Sequence, residues 1–310
     1  MSTTPHWPKI LPFLLAPRAR QRNDVSAAEQ FNWSHFAPML PTGLSITWLG
    51  TAGFLLQYQG ASIVIDPYLS RAPIGKVATR RPLLPDPQLV DRLLPRVDAV
   101  LVGHTHFDHA VDVPYIAQRD RAIVYGSSSS LQLLALHGAE DLAAVPEFYR
   151  VYAIGPFEVS FVPSVHSKLV LGLKVPYEGE LTCDHAEGLT SAAYRCGQVY
   201  GIHISVAGIS FYHQGSCNLI DDAVRHRDID FFLAGIAGRG FTERYWQRIL
   251  SRLEPRVIVP HHHDNFFLPL EGRMGFSFNV NFGGFVEEIA AISKDFAIRC
   301  LRPLQTVCGR

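Results

Sequence analysis

No charge of either sign is in excess in this chain of 310 residues: 28 basic residues stand against 28 acidic ones, a formal net charge of zero. A protein that holds nucleic acid mainly by neutralising phosphates needs a basic surplus, so no nucleic-acid partner is expected. Cysteine is scarce as well. Cys183, Cys196, Cys217, Cys300 and Cys308 are odd in number and include no CxxC pair, which argues against a disulfide framework and a cysteine-based structural zinc module. A reducing compartment, and so the cytoplasm, is the expectation. No apolar run approaches the ~20 residues needed to cross a bilayer. The longest early one, Ile10 to Ala16, is broken by Pro12 and has only Lys9 as a charge ahead of it, a poorly formed signal peptide. Arg18, Arg20 and Arg22 behind it could make the segment surface-seeking. An arm lying over the domain is the preferred reading, so membrane contact is not expected.

What is present is globular: 47% hydrophobic and 18% charged residues can bury a sizeable core, in one large domain or two small ones. Residues 1–43 carry prolines and aromatics (Trp7, Phe13, Phe31, Trp33, Phe36) without clear periodicity and read as an N-terminal extension packed by single side chains. Regular patterning starts at Leu44 and defines a domain over 44–310. Ile46 to Leu49, Gly53 to Tyr58 and Ala61 to Ile65 are strand candidates with glycine-rich turns between them, and the third ends in Asp66-Pro67.

The densest chemistry follows the apolar run Ala99 to Val102 and Gly103. His104-Thr105-His106-Phe107-Asp108-His109 places three imidazoles and a carboxylate at the end of a short buried strand. Imidazole with carboxylate suits a borderline divalent cation, Zn²⁺ first, with manganese or iron as alternatives. Packed together without a cation, four such groups would leave costly unpaired polar atoms at a buried edge. Other strand ends deliver similar residues: Asp66, placed for a hydrogen bond to a ligand histidine; His166 after Phe157 to Phe161; His213, Ser216 and Cys217 after Ile209 to Tyr212; and His261-His262-His263-Asp264 after a strand, Arg256 to Val259, closed by Pro260. The two strand-rich halves suggest two sheets face to face, helices outside, and one metal site on a shared edge.

Other stretches are less pointed. Arg71, Lys76, Arg80 and Arg81 in the loop 69–87 could hold an anionic substrate group, although a solvated basic loop is the commoner use. Residues 175–198 read as an inserted loop; its Cys183, Asp184 and His185 could bind a further metal, but an exposed loop of mixed composition is preferred. Helices are expected over Ile220 to His226, Phe241 to Leu253 and Phe285 to Ser293. Phe266, Phe267, Phe276, Phe278, Phe282 and Phe285 could wall an apolar pocket.

With these residues in view, the chain resembles the metallo-β-lactamase superfamily over about residues 44 to 300. His104-x-His106-x-Asp108-His109 carries the resemblance, supported by Trp48 to Phe54 and Asp66-Pro67. The opening strands and the Pro260 to Asp264 ending are most similar to the branch containing ascorbate-phosphate lactonases and the phospholipase D that acts on N-acyl-phosphatidylethanolamines. The resemblance implies an αββα four-layer sandwich of two mixed β-sheets flanked by helices. It also implies one ion on His104, His106 and His166 and a second on Asp108, His109 and His262, with His261 and His263 flanking as packing or supporting groups.

One departure from the family pattern stands out. An acid that bridges both ions usually follows the glycine of the fifth cluster, and here Gly215 is followed by Ser216. A neutral hydroxyl is a poor ligand, so one or two ions are expected: some superfamily members with serine there hold two zincs through an Asp-His-His second site, while weaker occupancy or a single ion is the alternative, and Cys217, one position out of register, and His213 are the residues that could compensate. The implied chemistry is hydrolysis of an ester, lactone or phosphodiester by metal-activated hydroxide, with Asp108 orienting the nucleophile and shuttling its proton. The substrate expected is a small molecule or lipid-like. The competing readings are an iron-dependent oxidoreductase on the same fold and a relative that only binds.

Overall fold

A computed structural model describes residues 17–310, apart from 170–172, 273 and 278–279. The readings of Ile10 to Ala16, Trp7, Phe13 and Phe278 fall on residues outside the described ones. The chain begins with α1 (Pro17–Gln30), then β1 (Ser45–Gly50), β2 (Gly53–Tyr58) and β3 (Ala61–Ile65). After α2 (Ile74–Ala78) and α3 (Pro87–Leu93) come β4 (Ala99–Leu101), α4 (Phe107–Ala110), α5 (Val113–Asp120), β5 (Ile123–Tyr125), α6 (Ser128–Ala135) and β6 (Ala143–Ala144). The second half runs β7 (Val151–Ile154), β8 (Phe157–Ser164), β9 (Val199–Val206), β10 (Ile209–Gln214) and β11 (Phe231–Gly235). It finishes with α7 (Tyr245–Leu253), β12 (Val257–His261), α8 (Phe282–Ala290), β13 (Ala297–Ile298) and β14 (Thr306–Cys308).

The strands form two seven-stranded sheets, in the orders β14-β1-β2-β3-β4-β5-β6 and β13-β12-β11-β10-β9-β8-β7. Each is mixed: β1 to β3 and β7 to β10 pair antiparallel, β3 to β6 and β10 to β13 parallel. Side-chain alternation along a strand sorts the core into layers. Phe54, Leu56, Ile63, Ile65, Ala99 and Leu101 of the first sheet meet Phe157, Phe161, Phe231, Leu233, Val257 and Val259 of the second. Their neighbours Leu55, Val64 and Val100 face outward to α5 and α6 through Ile116, Ala117, Leu133 and Leu134. On the far side Phe232 and Ile258 face α7 and α8. Tyr245, Trp246, Ile249, Leu250 and Leu253 make the apolar stripe of α7, at helical spacing. The expected αββα sandwich is therefore the fold. Because β3 and β4 run parallel, and β8, β10 and β12 share one direction, the strand ends bearing polar clusters lie along one rim.

Five local expectations are corrected. The arm before Leu44 holds a helix, α1, invisible to periodicity because its described side chains bring few apolar groups to the core. It is placed by polar contacts: Asp24 Oδ1 accepts from the Phe282 N–H at 2.7 Å, at the start of α8, and Glu29 pairs with Arg302. Ile220 to His226 is not an α-helix; only Asp221–Ala223 makes a short 3₁₀ turn, with the Asp221 carboxylate drawn to Arg248 and Arg252. The helix expected from Phe241 starts at Tyr245, after Arg244 with φ 48°. Pro260 does not close its strand but lies inside β12. The Ile258 carbonyl accepts from Arg299 N on the β13 side, and the backbone of Pro260 faces the same way two residues on. There β13 has already ended, and no ladder partner calls for an N–H. The last helix starts at Phe282 rather than Phe285. No helix among the described residues is long and apolar enough to cross a membrane.

His203 of β9 and His226 stack with ring centroids 3.9 Å apart. Burial, with the neighbouring His226, pushes His203 down to about 4, and burial lowers His226. Both stay neutral in the fold at pH values where they would charge in the unfolded chain. Stability is therefore unaffected above about pH 6.5 and falls as pH drops from there toward 4. A His203→Phe/His226→Leu double variant should lose less of its urea midpoint than the wild-type chain between pH 7 and pH 5; an equal loss in both would show that the pair is not responsible.

Candidate metal centre

Five chain segments meet on the rim. β4 hands over through Gly103, where a Cβ would stand 2.9 Å from Asp66 Oδ2, so only glycine leaves room for that carboxylate. The Gly103 N–H donates to Asp66 Oδ1 at 2.6 Å. The chain then turns through His104 to His106, and α4 brings Asp108 and His109 in its single turn. His166 follows β8, and His262 follows β12 in a left-handed conformation (φ 59°) held by its N–H donating to the Thr51 carbonyl at 2.7 Å.

Two triads of donor atoms that share no residue result, His104 with His106 and His166, and Asp108 with His109 and His262, each with its atoms within 4.8 Å of one another; a third group, Asp66 with His104 and His109, overlaps both. In the first, His104 Nε2 and His106 Nδ1 are 3.0 Å apart, and the His166 ring lies 4.9 and 4.8 Å from the other two by centroid. In the second, His262 Nε2 stands 3.2 Å and His109 Nε2 3.9 Å from Asp108 Oδ2. The triads adjoin: the His104 and His109 rings are 3.8 Å apart.

The outer nitrogens decide which lone pairs point inward. His106 Nε2–H donates to the Pro176 carbonyl and His166 Nδ1–H to that of Ser167, both at 2.8 Å, while His109 Nδ1–H donates to Asp66 Oδ2 at 2.8 Å. A ring that donates from one nitrogen is left with a lone pair on the other. Burial lowers His104 well below the ordinary imidazole value and brings His106 to about 4 and His166 to about 3, so the first triad is neutral at physiological pH. At Asp108 burial is outweighed by His109 and His262, which hold the carboxyl below its usual range. At His109 burial is outweighed by the Asp66 and Asp108 carboxylates, which raise it. The neutral imidazoles of the first triad, with converging lone pairs, and the two imidazoles beside an ionised carboxylate in the second are donor sets a borderline divalent cation takes. The residues present fit such an ion in both triads.

The other expected residues are placed as follows. Asp66 is fully buried behind His109 and orients it. His213 turns Nε2 to the Ala52 carbonyl at 2.9 Å and stacks on His261 at 4.9 Å, behind the rim. His263 turns away and stacks on Trp48 at 4.6 Å, a packing residue. The Ser216 hydroxyl donates to the Val165 carbonyl at 3.2 Å, one residue before His166. Cys217 is no thiolate replacement, since Sγ is buried against the Gly235 and Ala237 carbonyls at 2.9 and 3.0 Å. Gly215, just before them, comes so close that a Cβ there would lie 3.0 Å from Asp66 Oδ2 and 3.3 Å from His109 Cε1. Of the basic loop, Arg71 is not free for substrate: its guanidinium is buried on Asp264 at 2.6 Å. Residues 175–198 are not a solvated loop either, because Leu181, Leu189, Tyr194 and Cys196 are buried. Within it, Cys183, Asp184 and His185 do lie within 4.8 Å by ligand atom, with Cys183 buried and the other two exposed. Phe266 stands 5.5 Å from the His262 ring and 6.3 Å from Phe107, and Phe267 packs on it at 4.4 Å, a partly exposed apolar wall beside the second triad.

Sequence reasoning did not anticipate the carbonyls of Thr51, Ser167 and Pro176, nor the Arg71–Asp264 pair. Backbone acceptors leave no mark in composition or spacing. The ion pair did leave one, a cation in one loop and an acid beside the histidine run, but 193 residues separate them.

The β-lactamase superfamily domain profile matches residues 45–262. A metal-dependent hydrolase of Anaeromyxobacter sp. (strain K) is 28% identical over 232 residues, 71% of this chain and 75% of its own length. One of Archaeoglobus fulgidus is 26% identical over 234 residues, 72% of this chain and 84% of its own. Among solved structures, the metallo hydrolase Igni18 of Ignicoccus hospitalis superposes with a TM-score of 0.54 at 18% identity, over 85% of this chain and 97% of its own. CmlA, a diiron β-hydroxylase of Streptomyces venezuelae, gives 0.56 at 13% identity, over 87% and 55%. At these identities the solved structures establish a shared fold.

Proposed function

The chain belongs to the β-lactamase superfamily of metal-dependent hydrolases, and from that premise we propose that it cleaves an ester, lactone or phosphodiester bond with ions held on His104, His106 and His166 and on Asp108, His109 and His262. The observation that carries the proposal is the pair of adjoining donor triads, each within 4.8 Å, on the rim of the sandwich. A divalent cation held there, Zn²⁺ first among the candidates, would supply hydroxide at neutral pH and would polarise the oxygen under attack. The rest falls to the chain's own side chains. Asp108, ionised between His109 and His262, would orient the attacking hydroxide by accepting its hydrogen bond and would pass that proton on to the leaving oxygen. Asp66 keeps His109 oriented. Phe266 and Phe267 offer an apolar surface beside the second triad, which suits a small-molecule or lipid-like substrate with an apolar portion.

The oxidoreductase alternative requires iron and oxygen consumption. A serine at 216, its hydroxyl turned to Val165, removes the bridging carboxylate that would favour a diiron centre.

The test is elemental analysis of the purified chain with a screen against nitrophenyl esters and phosphodiesters. Zinc or manganese near one or two ions per chain, hydrolysis lost on chelation and recovered on adding the metal back, is the expected result. Hydrolysis that persists after complete metal removal would refute it, and iron with oxygen uptake and no hydrolysis would move the chain to the other class.

A further inference from the structure

The stretch 175–198 has no part in the chemistry just described, yet both of its ends reach the first triad. The Pro176 carbonyl accepts from His106 Nε2 at 2.8 Å. At the other end, the Cys196 carbonyl accepts from the Thr105 N–H at 3.0 Å. The Thr105 hydroxyl, buried between His104 and His106, donates to the carbonyls of Arg195 and Cys196 at 2.7 and 3.1 Å. The two ends are joined to each other: Cys196 N–H donates to the Tyr177 carbonyl and Gly197 N–H to that of Gly179, both at 2.9 Å. The base of the loop is thus a short ladder clamped on the turn that carries two ligands.

The clamp is itself anchored. The Glu180 carboxylate accepts from the Ser128 hydroxyl at 2.9 Å and from that of Ser129, at the first turn of α6, while the Leu181 N–H donates to Ser129 Oγ at 3.0 Å. An anion at a helix N-terminus is favourably placed. Leu181, Leu189 and Tyr194 are sunk into the core on that side. Gly197 is pressed so closely that a Cβ there would come within 2.8 Å of both Ser127 Oγ and Thr105 Oγ1.

We propose that the 175–198 loop is the positioning element of His106, with Glu180 as its anchor and Thr105 as its link to the ligand turn. The Pro176 carbonyl keeps the His106 proton on Nε2, so that Nδ1 is the atom offered to the ion. Without the clamp the ring is free to rotate and to exchange tautomers, and the first triad is no longer preorganised. Among the described residues, the loop makes no such hydrogen bond to Asp108, His109 or His262. This inference rests on the metal-centre reading.

The experiment is Zn²⁺ titration of the full chain against a chromophoric chelator, with Co²⁺ substitution as a spectroscopic check. The variants are Glu180→Ala and Thr105→Val, with Glu180→Gln and Thr105→Ser as conservative partners that keep the acceptor or the hydroxyl. Folding is checked by thermal melting, and titrations are run well below each midpoint. Loss of outer hydrogen-bond partners typically weakens metal binding about 10–100-fold. That weakening is expected in Glu180→Ala and Thr105→Val for one binding step only, with a changed Co²⁺ visible spectrum, and most of it should return in Glu180→Gln and Thr105→Ser. Folded Glu180→Ala and Thr105→Val that bind as the wild type does, or that weaken both steps equally, overturn the positioning role. A wild-type chain that binds neither ion overturns the metal centre itself, a result distinct from both.

Discussion

Asp108→Ala should give a folded chain whose hydrolysis is near background. Asp108 holds three contacts that no neighbour can replace. It supplies the one carboxylate of the second triad; it stands 3.2 Å from His262 Nε2; and with Asp66 it raises His109. Loss of a positioned acid or base alone costs roughly 10²–10⁴-fold in rate, and a missing ligand adds to it. The fold should survive, because α4 is one short turn and the core beneath it is built from Val100, Val102, Ala110 and Val111. Circular dichroism would establish folding, and metal analysis should show the loss of one ion. A variant that keeps more than about a tenth of the rate, a loss smaller than that whole range, would remove Asp108 from the mechanism.

Arg71→Met should have the largest effect on stability. Asp264 is buried, and its two oxygens are satisfied by the Arg71 guanidinium at 2.6 Å and the Thr51 N–H at 3.0 Å. Burial is outweighed there by Arg71 and His263, which hold the carboxyl below its usual range. Removing the guanidinium leaves a buried charge with one partner, a change that costs about 3–5 kcal/mol. The double variant Arg71→Met/Asp264→Asn, which also removes the charge, should recover part of that loss. Urea unfolding of the two variants checks this, and a double variant no more stable than Arg71→Met would show that the stranded charge is not the cause. The same pair bears on the centre, because Thr51 accepts from His262 N–H at 2.7 Å on the other side of the turn. Arg71→Met should therefore weaken the second triad more than the first.

The parts of this molecule that were legible in the sequence are those where one physical rule acts over a short span. β2, β3 and β4 announce themselves because neighbours such as Ile63, Val64 and Ile65 must be apolar on two faces between two cores. His104, His106, Asp108 and His109 are legible because a strand end and one helical turn bring them together without long-range help. His166 and His262 needed only the further idea that strands of one direction end on one rim. α1 was not legible, since it is seated by Asp24 on α8, 258 residues away. The short 3₁₀ turn at Asp221 was hidden for a similar reason, as its carboxylate is held by Arg248 and Arg252 from α7. Ser216 shows a different limit. Its identity signals a missing acid, but only coordinates show its hydroxyl spent on Val165.

The final ten residues cross from one sheet to the other. β13 lies at the outer border of the second sheet, Leu301 is buried between the sheets, and β14 then borders the first, pairing Thr306 to Cys308 with Thr47 to Ser45. Shortening the chain at Arg302 would spare both donor triads yet uncover the backbone of β1. A bare border strand is a template for a neighbouring molecule, so the shortened protein should stick to itself along that border.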